Sequence, residues 1–239
     1  GQTLVSAVRN DARFTLAGGS ERETVKTDFP VVSDAAALVA LADAVIDFTT
    51  VDNSLAIAKA AAAKGSVHII GTTGFSATQE NLLSDYATTA RIVKSGNFSL
   101  GVCLLAQLVE QAARALAGYD IEIYEMHHKH KKDAPSGTAL MLGDAAARGR
   151  KVALADVKTM DREGVRKAGD IGFSVSRGGD VVGIHTVSFA GAGEVIELKH
   201  QGFNRDIYAM GALHAALWAA SQPAGLYSMH DVLIPVAGM

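Results

Sequence analysis

The chain has 239 residues, of which 49% are hydrophobic, 20% charged and 6% aromatic. These fractions are ordinary for a globular protein, and they exclude a disordered chain, a collagen-like repeat and a small domain held by disulfides. The 22 Lys and Arg residues against 25 Asp and Glu residues give a net charge of −3, so any anion must be bound locally, without a general basic field for nucleic acid.

The cysteine content and the first residues bear on the compartment. Cys103 is the only cysteine, so no intramolecular disulfide can form, and the opening residues lack the regions of a secretion signal. No apolar run reaches the roughly 18 residues of a membrane span. These features predict a cytoplasmic protein. Residues 2–8 already have a helical pattern, so we expect the natural chain to begin before Gly1.

Helices and strands alternate over the first hundred residues. After the helix at 2–8, the pattern predicts strands at 14–17, 44–48, 67–70 and 92–94, and helices at 35–41, 53–64 and 79–90. Short apolar strands that alternate with helices of about ten residues are typical of a parallel sheet covered on both faces. We therefore predict a doubly wound α/β domain.

Three of these strands end in small or polar residues. The ends read Asp-Phe-Thr-Thr at 47–50, Gly-Thr-Thr-Gly at 71–74 and Ser-Gly-Asn-Phe at 95–98. In an open α/β sheet the carboxyl ends of the strands form the ligand crevice, and such residues let a backbone approach a bound molecule. One Gly-Thr-Thr-Gly is equally an ordinary tight turn, but three such ends favour a nucleotide site.

The pattern changes after residue 99 and predicts a second, α+β domain with a mixed, largely antiparallel sheet. Its glycine-rich connections, Gly-Gly-Asp at 178–180 and Gly-Ala-Gly at 191–193, have hairpin chemistry. The predicted segments are a helix at 105–116 closed by Gly118, a strand at 121–124, and alternating runs at 171–177, 181–189 and 195–199. A last helix at 207–220 would return the chain to the first domain.

Residues 125–139 read Glu-Met-His-His-Lys-His-Lys-Lys-Asp-Ala-Pro-Ser-Gly-Thr-Ala, with three histidines and three lysines in six positions. This loop concentrates cationic and proton-transferring groups, which suits an anionic substrate. Ser136 can cap the following helix, and the amides of Gly137 and Thr138 would then point out of its positive end, where a carboxylate binds well.

Three other interpretations of this segment stay open. It could be a solvated charged loop. It could bind zinc through His127, His128 and His130, although no cysteine is near and the adjacent lysines would repel a dication. It could also be a nucleic-acid patch, although it is short and has no interleaved aromatic residues.

The same segment resembles the signature of the dihydrodipicolinate reductase family, the 4-hydroxy-tetrahydrodipicolinate reductases of bacterial lysine and diaminopimelate biosynthesis. Further blocks resemble the family in its order and extend the likeness over nearly the whole chain. They are Val-Ile-Asp-Phe-Thr at 45–49, Ile-Gly-Thr-Thr-Gly-Phe at 70–75, Lys-Ser-Gly-Asn-Phe-Ser-Leu-Gly-Val at 94–102, Gly-Asp-Ile-Gly-Phe at 169–173 and Gly-Leu-Tyr-Ser-Met at 225–229.

The resemblance implies a Rossmann-like dinucleotide-binding domain at 1–98 and 206–239, and a substrate-binding and oligomerisation domain at 99–205. It implies a cytoplasmic homotetramer that reduces a small cyclic dicarboxylate, 4-hydroxy-tetrahydrodipicolinate, to tetrahydrodipicolinate with NADPH or NADH. It implies no metal, nucleic acid or membrane. The family's first strand and Gly-x-x-Gly turn would precede this sequence, and Gly1 could be the last glycine of that turn.

The resemblance also suggests roles for residues of the polar segment. His127 resembles the family's proton donor, and Lys131 its second catalytic cation. His128, Gly137 and Thr138 resemble the part that holds the substrate dicarboxylate. An imidazole near its ordinary pKa of about 6.5 could supply a proton at neutral pH.

For the cofactor, Glu21 and Arg22 match the family's pair at the adenosine end. The acid would accept from the ribose 2′-hydroxyl of NAD, and the arginine would pair with the 2′-phosphate of NADP, so the pair suggests use of both. The residues that match the nicotinamide end are Gly71, Thr72, Thr73, Ser95, Gly96, Asn97 and Phe98.

The leading hypothesis is thus an NAD(P)H-dependent oxidoreductase. A second hypothesis is a non-catalytic ligand-sensing or scaffold protein that keeps the same fold. A third is a metal hydrolase that uses the histidine cluster.

Overall fold

A computed structural model describes residues 1–21, 25–160 and 163–233. The chain divides into two compact units, one formed by residues 1–100 with the chain from 206 onward, and the other by residues 101–205. None of the described helices is long and apolar enough to cross a membrane.

The first unit begins with alternating helices and short strands. In chain order they are α1 (Gln2–Arg9), β1 (Gly19–Ser20), β2 (Val31–Val32), α2 (Ala35–Leu41), β3 (Ala44–Asp47), α3 (Val51–Lys64), β4 (Val67–Ile70), α4 (Ala77–Tyr86) and β5 (Arg91–Lys94). Local sequence accounts for several boundaries. Thr50 and Ser76 cap α3 and α4 with their side chains, and Gly65 ends α3 at φ 71°.

The second unit holds one mixed sheet with helices. Its elements are α5 (Leu100–Ala115), β6 (Asp120–His127), α6 (Gly137–Arg150), α7 (Leu154–Val157), β7 (Lys158–Met160), β8 (Ile171–Arg177), β9 (Gly183–Gly191) and β10 (Glu194–Gly202). The chain then returns to the first unit through α8 (Asp206–Ala220), β11 (Gly225–Tyr227) and α9 (Met229–Leu233).

The sheet of the first unit has the strand order β11-β5-β4-β3, and all its ladders are parallel. Every residue of β4 is buried, as expected for a central strand with helices on both faces. The predicted parallel α/β arrangement is therefore confirmed. Strands β3, β4 and β5 of this sheet end at the same edge, which brings their polar ends together.

The predicted strand at 14–17 is wrong. A strand needs a neighbour for its backbone hydrogen bonds, and in the described part of the chain pairing begins only at Gly19 and Ser20, which lie parallel to Val31 and Val32. A cleft separates this two-stranded sheet from β3. Its lining includes Ser20, Asp47, Thr49 and Asn53.

The sheet of the second unit has the order β10-β9-β6-β8-β7, with antiparallel ladders at β10-β9 and β9-β6 and parallel ladders at β6-β8 and β8-β7. A mixed sheet is thus confirmed, and the β9-β10 connection is a hairpin. The Gly-Gly-Asp connection is not a hairpin, because β6 lies between β8 and β9. Local turn chemistry cannot reveal a central strand that is distant in sequence.

The central strand β6 buries alternate residues against the helices. Ile121 and Ile123 are fully or almost fully buried and belong to a core that includes Leu142 of α6, together with Val187 and Phe189 of β9. The same alternation continues through Glu125 and His127, which are also buried. The core-facing side of β6 therefore turns from apolar to ionisable at its carboxyl end.

Candidate active site

The polar ends of β3, β4 and β5 are in direct contact in the structure. The Thr49 amide donates to the Thr72 hydroxyl at 3.1 Å, and the rings of Phe48 and Phe98 make an edge contact with centroids 5.5 Å apart. The three loops predicted from the sequence thus form one surface at the carboxyl edge of the sheet. This is the edge at which open α/β sheets bind ligands.

Phe48 is a feature of this surface that was not assigned from the sequence. Its side chain is 45% exposed, although it lies on Phe98, whose ring is buried. The Phe48 ring occupies the place that a Cβ of Gly71 would take, so any other residue at position 71 would have to displace this ring. An exposed aromatic residue directly after an apolar strand could have identified it.

Most of the predicted nicotinamide-end side chains shape the loops. Thr72 is buried and accepts from Thr49, the Ser95 hydroxyl donates to the Asn97 carbonyl at 2.6 Å, and the Asn97 side chain accepts from the Ser99 amide at 2.8 Å. Because Phe98 is also buried, its ring supports Phe48 and does not face solvent.

The exposed parts of this surface are backbone and glycine. Thr73, Gly74 and Gly96 are exposed, and Gly74 has φ +90°, a conformation that favours glycine. Within residues 1–21, 25–160 and 163–233, the amides of Thr73 and Gly74 have no hydrogen-bond acceptor. Exposed amides, small residues and one aromatic face fit the approach of a dinucleotide.

The buried Asp47 holds the loop after β3 in place at the carboxyl edge of the sheet. Its carboxylate accepts from the Thr49 amide at 2.9 Å, the Thr49 hydroxyl at 2.6 Å and the Ser54 hydroxyl. His68 lies 3.4 Å from the same carboxylate. Burial would raise the pKa of Asp47, but contacts from His68, Ser54 and Thr49 outweigh it and lower that pKa. Asp47 is therefore a charged anchor of the Thr49 loop.

The adenosine-end candidates are less constrained. Gly1 is exposed and precedes α1, in which its carbonyl accepts from the Val5 amide at 3.1 Å. Glu21 is exposed, and its amide donates to the Val32 carbonyl at 3.3 Å. Arg22 lies outside the described residues.

In the second unit, His127 is the last residue of β6 and is buried. The sequence placed it in a polar loop, and this was wrong, because β6 extends past residue 124 and keeps its two-residue alternation. His127 lies 5.0 Å from His185, measured between ring centroids. A Cβ at Gly183 would lie 3.2 Å from Nε2 of His127, so the absence of a side chain at Gly183 makes room for the His127 ring.

The protein's own groups keep His127 neutral. Burial lowers its pKa to about 4, and the charges of His185, Lys131 and Arg177 oppose the raising effect of Glu125. This value lies below the ordinary pKa expected from the sequence. A histidine proton donor with these neighbours needs negative charge beside it in order to hold its proton at neutral pH.

Glu125 connects the groups around His127, and it was not assigned from the sequence. It is almost fully buried. Its Oε1 accepts from the Ser136 amide at 3.1 Å and lies 3.4 Å from the guanidinium of Arg177. Its Oε2 lies 3.5 Å from both His127 Nδ1 and His185 Nε2. Burial would raise its pKa, but the contacts with His185 and Ser136 outweigh this and lower the pKa to about 2.

The first turn of α6 begins beside this carboxylate. The Ser136 side chain accepts from the Ala139 amide at 3.1 Å, which confirms Ser136 as the helix cap. Gly137 is exposed and Thr138 half-buried, and both belong to the first turn, where helix amides face outwards. This turn is suited to bind a carboxylate.

The remaining cations and histidines follow β6. Lys131 is half-buried, and its Nζ donates to Asp133 at 2.9 Å. His128 is half-buried and His130 exposed, with ring centroids 6.2 Å apart. His127 does not group with His128 and His130, as the zinc alternative would need, because it faces Glu125 and His185.

Comparison with known proteins gives the family. The model for the amino-terminal part of dihydrodipicolinate reductase matches residues 1–98, and the model for its carboxy-terminal part matches residues 101–233. A protein of Mesorhizobium japonicum named 4-hydroxy-tetrahydrodipicolinate reductase 1 is 51% identical, covering 98% of this chain and 92% of its own. The 4-hydroxy-tetrahydrodipicolinate reductase of Rhodopseudomonas palustris strain BisB18 is 57% identical over 84% of this chain and 76% of its own.

The fold comparison agrees. A dipicolinate-bound dihydrodipicolinate reductase of Paenisporosarcina sp. TG-14 superposes with a TM-score of 0.83 at 23% identity, over 98% of this chain and 95% of its own. A diaminopimelate dehydrogenase of C. glutamicum gives a TM-score of 0.54 at 13% identity, over 98% of this chain and 92% of its own, which shows a shared fold alone. With both family models matched in order and relatives at half identity or more, the chain belongs to the dihydrodipicolinate reductase family.

Proposed function

We propose that this chain reduces 4-hydroxy-tetrahydrodipicolinate to tetrahydrodipicolinate with NADH or NADPH, in the synthesis of lysine and diaminopimelate. Relatives that carry this activity in their names cover nearly the whole chain at about half identity. The observation that carries the proposal is the buried His127 at the end of β6, followed in the same short segment by Lys131 and the exposed first turn of α6.

The reaction eliminates water, formed from the 4-hydroxyl group and a hydrogen of the neighbouring ring carbon, and the resulting double bond then takes up one hydride at ring C4 and one proton at that neighbour. A bound reduced nicotinamide would supply the hydride. His127 then supplies the proton to the adjacent carbon as a general acid, and Lys131 faces the negatively charged substrate as a second cation. The substrate carboxylates bind His128 and the amides of Gly137 and Thr138, and their negative charge favours the protonated form of His127.

In this proposal residues 1–98 and 206–239 bind the dinucleotide, and residues 99–205 bind the substrate and form a homotetramer. Exposed apolar residues support an interface on the second unit, since Val195 is 59% and Ile196 41% exposed on β10, an edge strand of its sheet. Light scattering of the purified protein tests the tetramer, and a monomer at micromolar concentration would contradict it. Residence in the cytoplasm is part of the same proposal.

The test of the activity is the oxidation of NADPH in the presence of the product of dihydrodipicolinate synthase. His127→Gln and Lys131→Gln should each lower turnover by about a hundredfold or more. Lys132→Gln, at an exposed neighbour in the same loop, is the matched control and should stay within about twofold. Full activity of His127→Gln or Lys131→Gln, or no NADPH oxidation by the unmodified chain, would contradict the proposal.

A further inference from the structure

The cluster around Glu125 continues the rows of the hydrophobic core across three strands. Glu125 lies opposite His185 on β9 and beside Val175 on β8. The preceding row on the same face holds Ile123, Val187 and Phe173, all buried. The backbone register thus places a carboxylate at a position where the sheet otherwise buries apolar side chains.

The contacts of Glu125 divide between its two oxygens. Oε1 faces the start of α6 and a cation, through the Ser136 amide and Arg177. Oε2 faces two imidazoles at 3.5 Å, and the buried atoms Glu125 Oε2 and His127 Nδ1 have no hydrogen-bond partner among the described residues. A shift of a few tenths of an ångström would bring these two atoms within ordinary hydrogen-bonding distance.

We propose that Glu125 is a positioning residue for the reduction: its Oε2 accepts the Nδ1–H of His127 and fixes the ring tautomer, while its Oε1 holds the first turn of α6 through the Ser136 amide. One side chain thereby sets both the direction of the proton donor and its distance from the amides of Gly137 and Thr138. The inference rests on the proposed function, because it assigns His127 and this turn to the same substrate.

Two other uses of the cluster fit the contacts less well. Glu125, His127 and His185 offer atoms within 4.8 Å of one another, a spacing that a metal ion could use. However, Arg177 already neutralises the carboxylate from 3.4 Å, and Lys131 adds a second positive charge that acts on His127. A purely structural ion pair would also be a poor reason for burial, because apolar residues of similar size commonly stabilise such a position as well or better.

The proton held by His127 responds to charged groups on every element around it. Glu125 lies on its own strand, Arg177 on β8 and His185 on β9, and Lys131 with its partner Asp133 lies in the following loop. His200, opposite His185 on β10, completes the surroundings. Glu125 is the carboxylate in contact with the His127 ring, so its removal should lower the pKa of His127.

The test compares Glu125→Gln with the unmodified protein and with Glu163→Gln, a control at an exposed glutamate in the segment before β8. We expect Glu125→Gln to lower kcat about tenfold or more and to move the basic limb of its pH profile down by about one unit or more. The dissociation constant of pyridine-2,6-dicarboxylate should stay within about threefold, because glutamine can still accept from Ser136. Glu163→Gln should match the unmodified protein in all three measurements.

A measurement on the unmodified protein keeps the inference testable if Glu125→Gln does not fold. Nitrogen-15 chemical shifts of labelled histidines, assigned by the signals lost in His127→Gln, should show the proton of neutral His127 on Nδ1. A proton on Nε2, or a Glu125→Gln enzyme with unchanged kcat and pH profile, would overturn the inference. Absence of reductase activity in the unmodified chain would instead refute the proposed function, and it would leave the tautomer result standing.

Discussion

Binding of a dicarboxylate should add a proton to His127, and the size of the effect follows from the pKa of the unliganded site and from Coulomb's law for a carboxylate taken to lie about 4 Å from the ring. A pKa of about 4 leaves about one His127 side chain in a thousand protonated at pH 7. One carboxylate about 4 Å from the ring contributes about 4 kcal/mol at an effective dielectric constant near 20. This corresponds to about three pKa units, so the pKa of His127 would approach 7 in the complex.

The sign of the pH dependence is set by this rise. A ligand that raises the pKa from about 4 to about 7 binds more tightly as the pH falls through that interval. Pyridine-2,6-dicarboxylate should therefore bind about tenfold more tightly at pH 6 than at pH 8, and at pH 7 it should take up about half a proton. Calorimetry in buffers of different ionisation enthalpy measures the uptake.

His127→Gln is the control for this measurement, because it separates proton uptake at His127 from proton uptake elsewhere in the protein. The variant should lose most of the uptake and most of the pH dependence. If binding by the unmodified protein takes up less than about a tenth of a proton at pH 7, or if His127→Gln takes up the same amount, then His127 does not receive its proton in the way that this reasoning requires.

Three further substitutions test other contacts. Gly183→Ala places a methyl group about 3.2 Å from His127 Nε2. It should therefore lower kcat about tenfold while the melting temperature changes little. An unchanged kcat would show that Gly183 does not position the His127 ring. Phe48→Ala removes an exposed aromatic face and should raise the KM for NADPH about three- to tenfold without changing dicarboxylate binding; an unchanged KM would remove Phe48 from the cofactor site. His68 is fully buried, and burial lowers its pKa despite the opposing effect of Asp47. The unfolded chain therefore takes up a proton below about pH 6.5 that the folded chain resists. Between pH 7 and pH 5 the free energy of unfolding, measured by urea denaturation, should fall less in His68→Leu than in the unmodified protein. An equal fall in both proteins would contradict this.

The alternation of the first hundred residues predicts the parallel sheet well because each of its strands is short, apolar and followed by a helix. The same pattern wrongly predicts a strand at 14–17, where the composition is typical of a strand. Backbone pairing there depends on a neighbour, and the ladder starts only at Gly19. Composition reports where a strand is possible, and the hydrogen-bonding partner decides where it forms.

The site is predicted in part because residues 125–139 are unusual in composition. The interpretation of the segment as one loop hides its most informative pattern. Ile121, Ile123, Glu125 and His127 share one side of β6, and this alternation alone marks the glutamate as buried. The contacts with Arg177 and His185 could not be foreseen, because they depend on β6 lying between β8 and β9, an order that no local turn signal encodes.

On the inner side of β6 the residues change from isoleucines to ionisable groups along the strand. The thermal stability of the protein and its catalytic turnover therefore depend on the same layer of side chains. Replacing Glu125 together with the cation and imidazoles around it by apolar residues would extend the packed interior by one more layer and should raise the melting temperature, whereas removing Glu125 alone would leave its buried partners unpaired and lower it. Such combined variants would resist heat better, and they would fail as catalysts. Thermostabilising selection on this protein should therefore be coupled to growth that depends on its activity in lysine synthesis, so that the charge of this layer is not lost for the sake of stability.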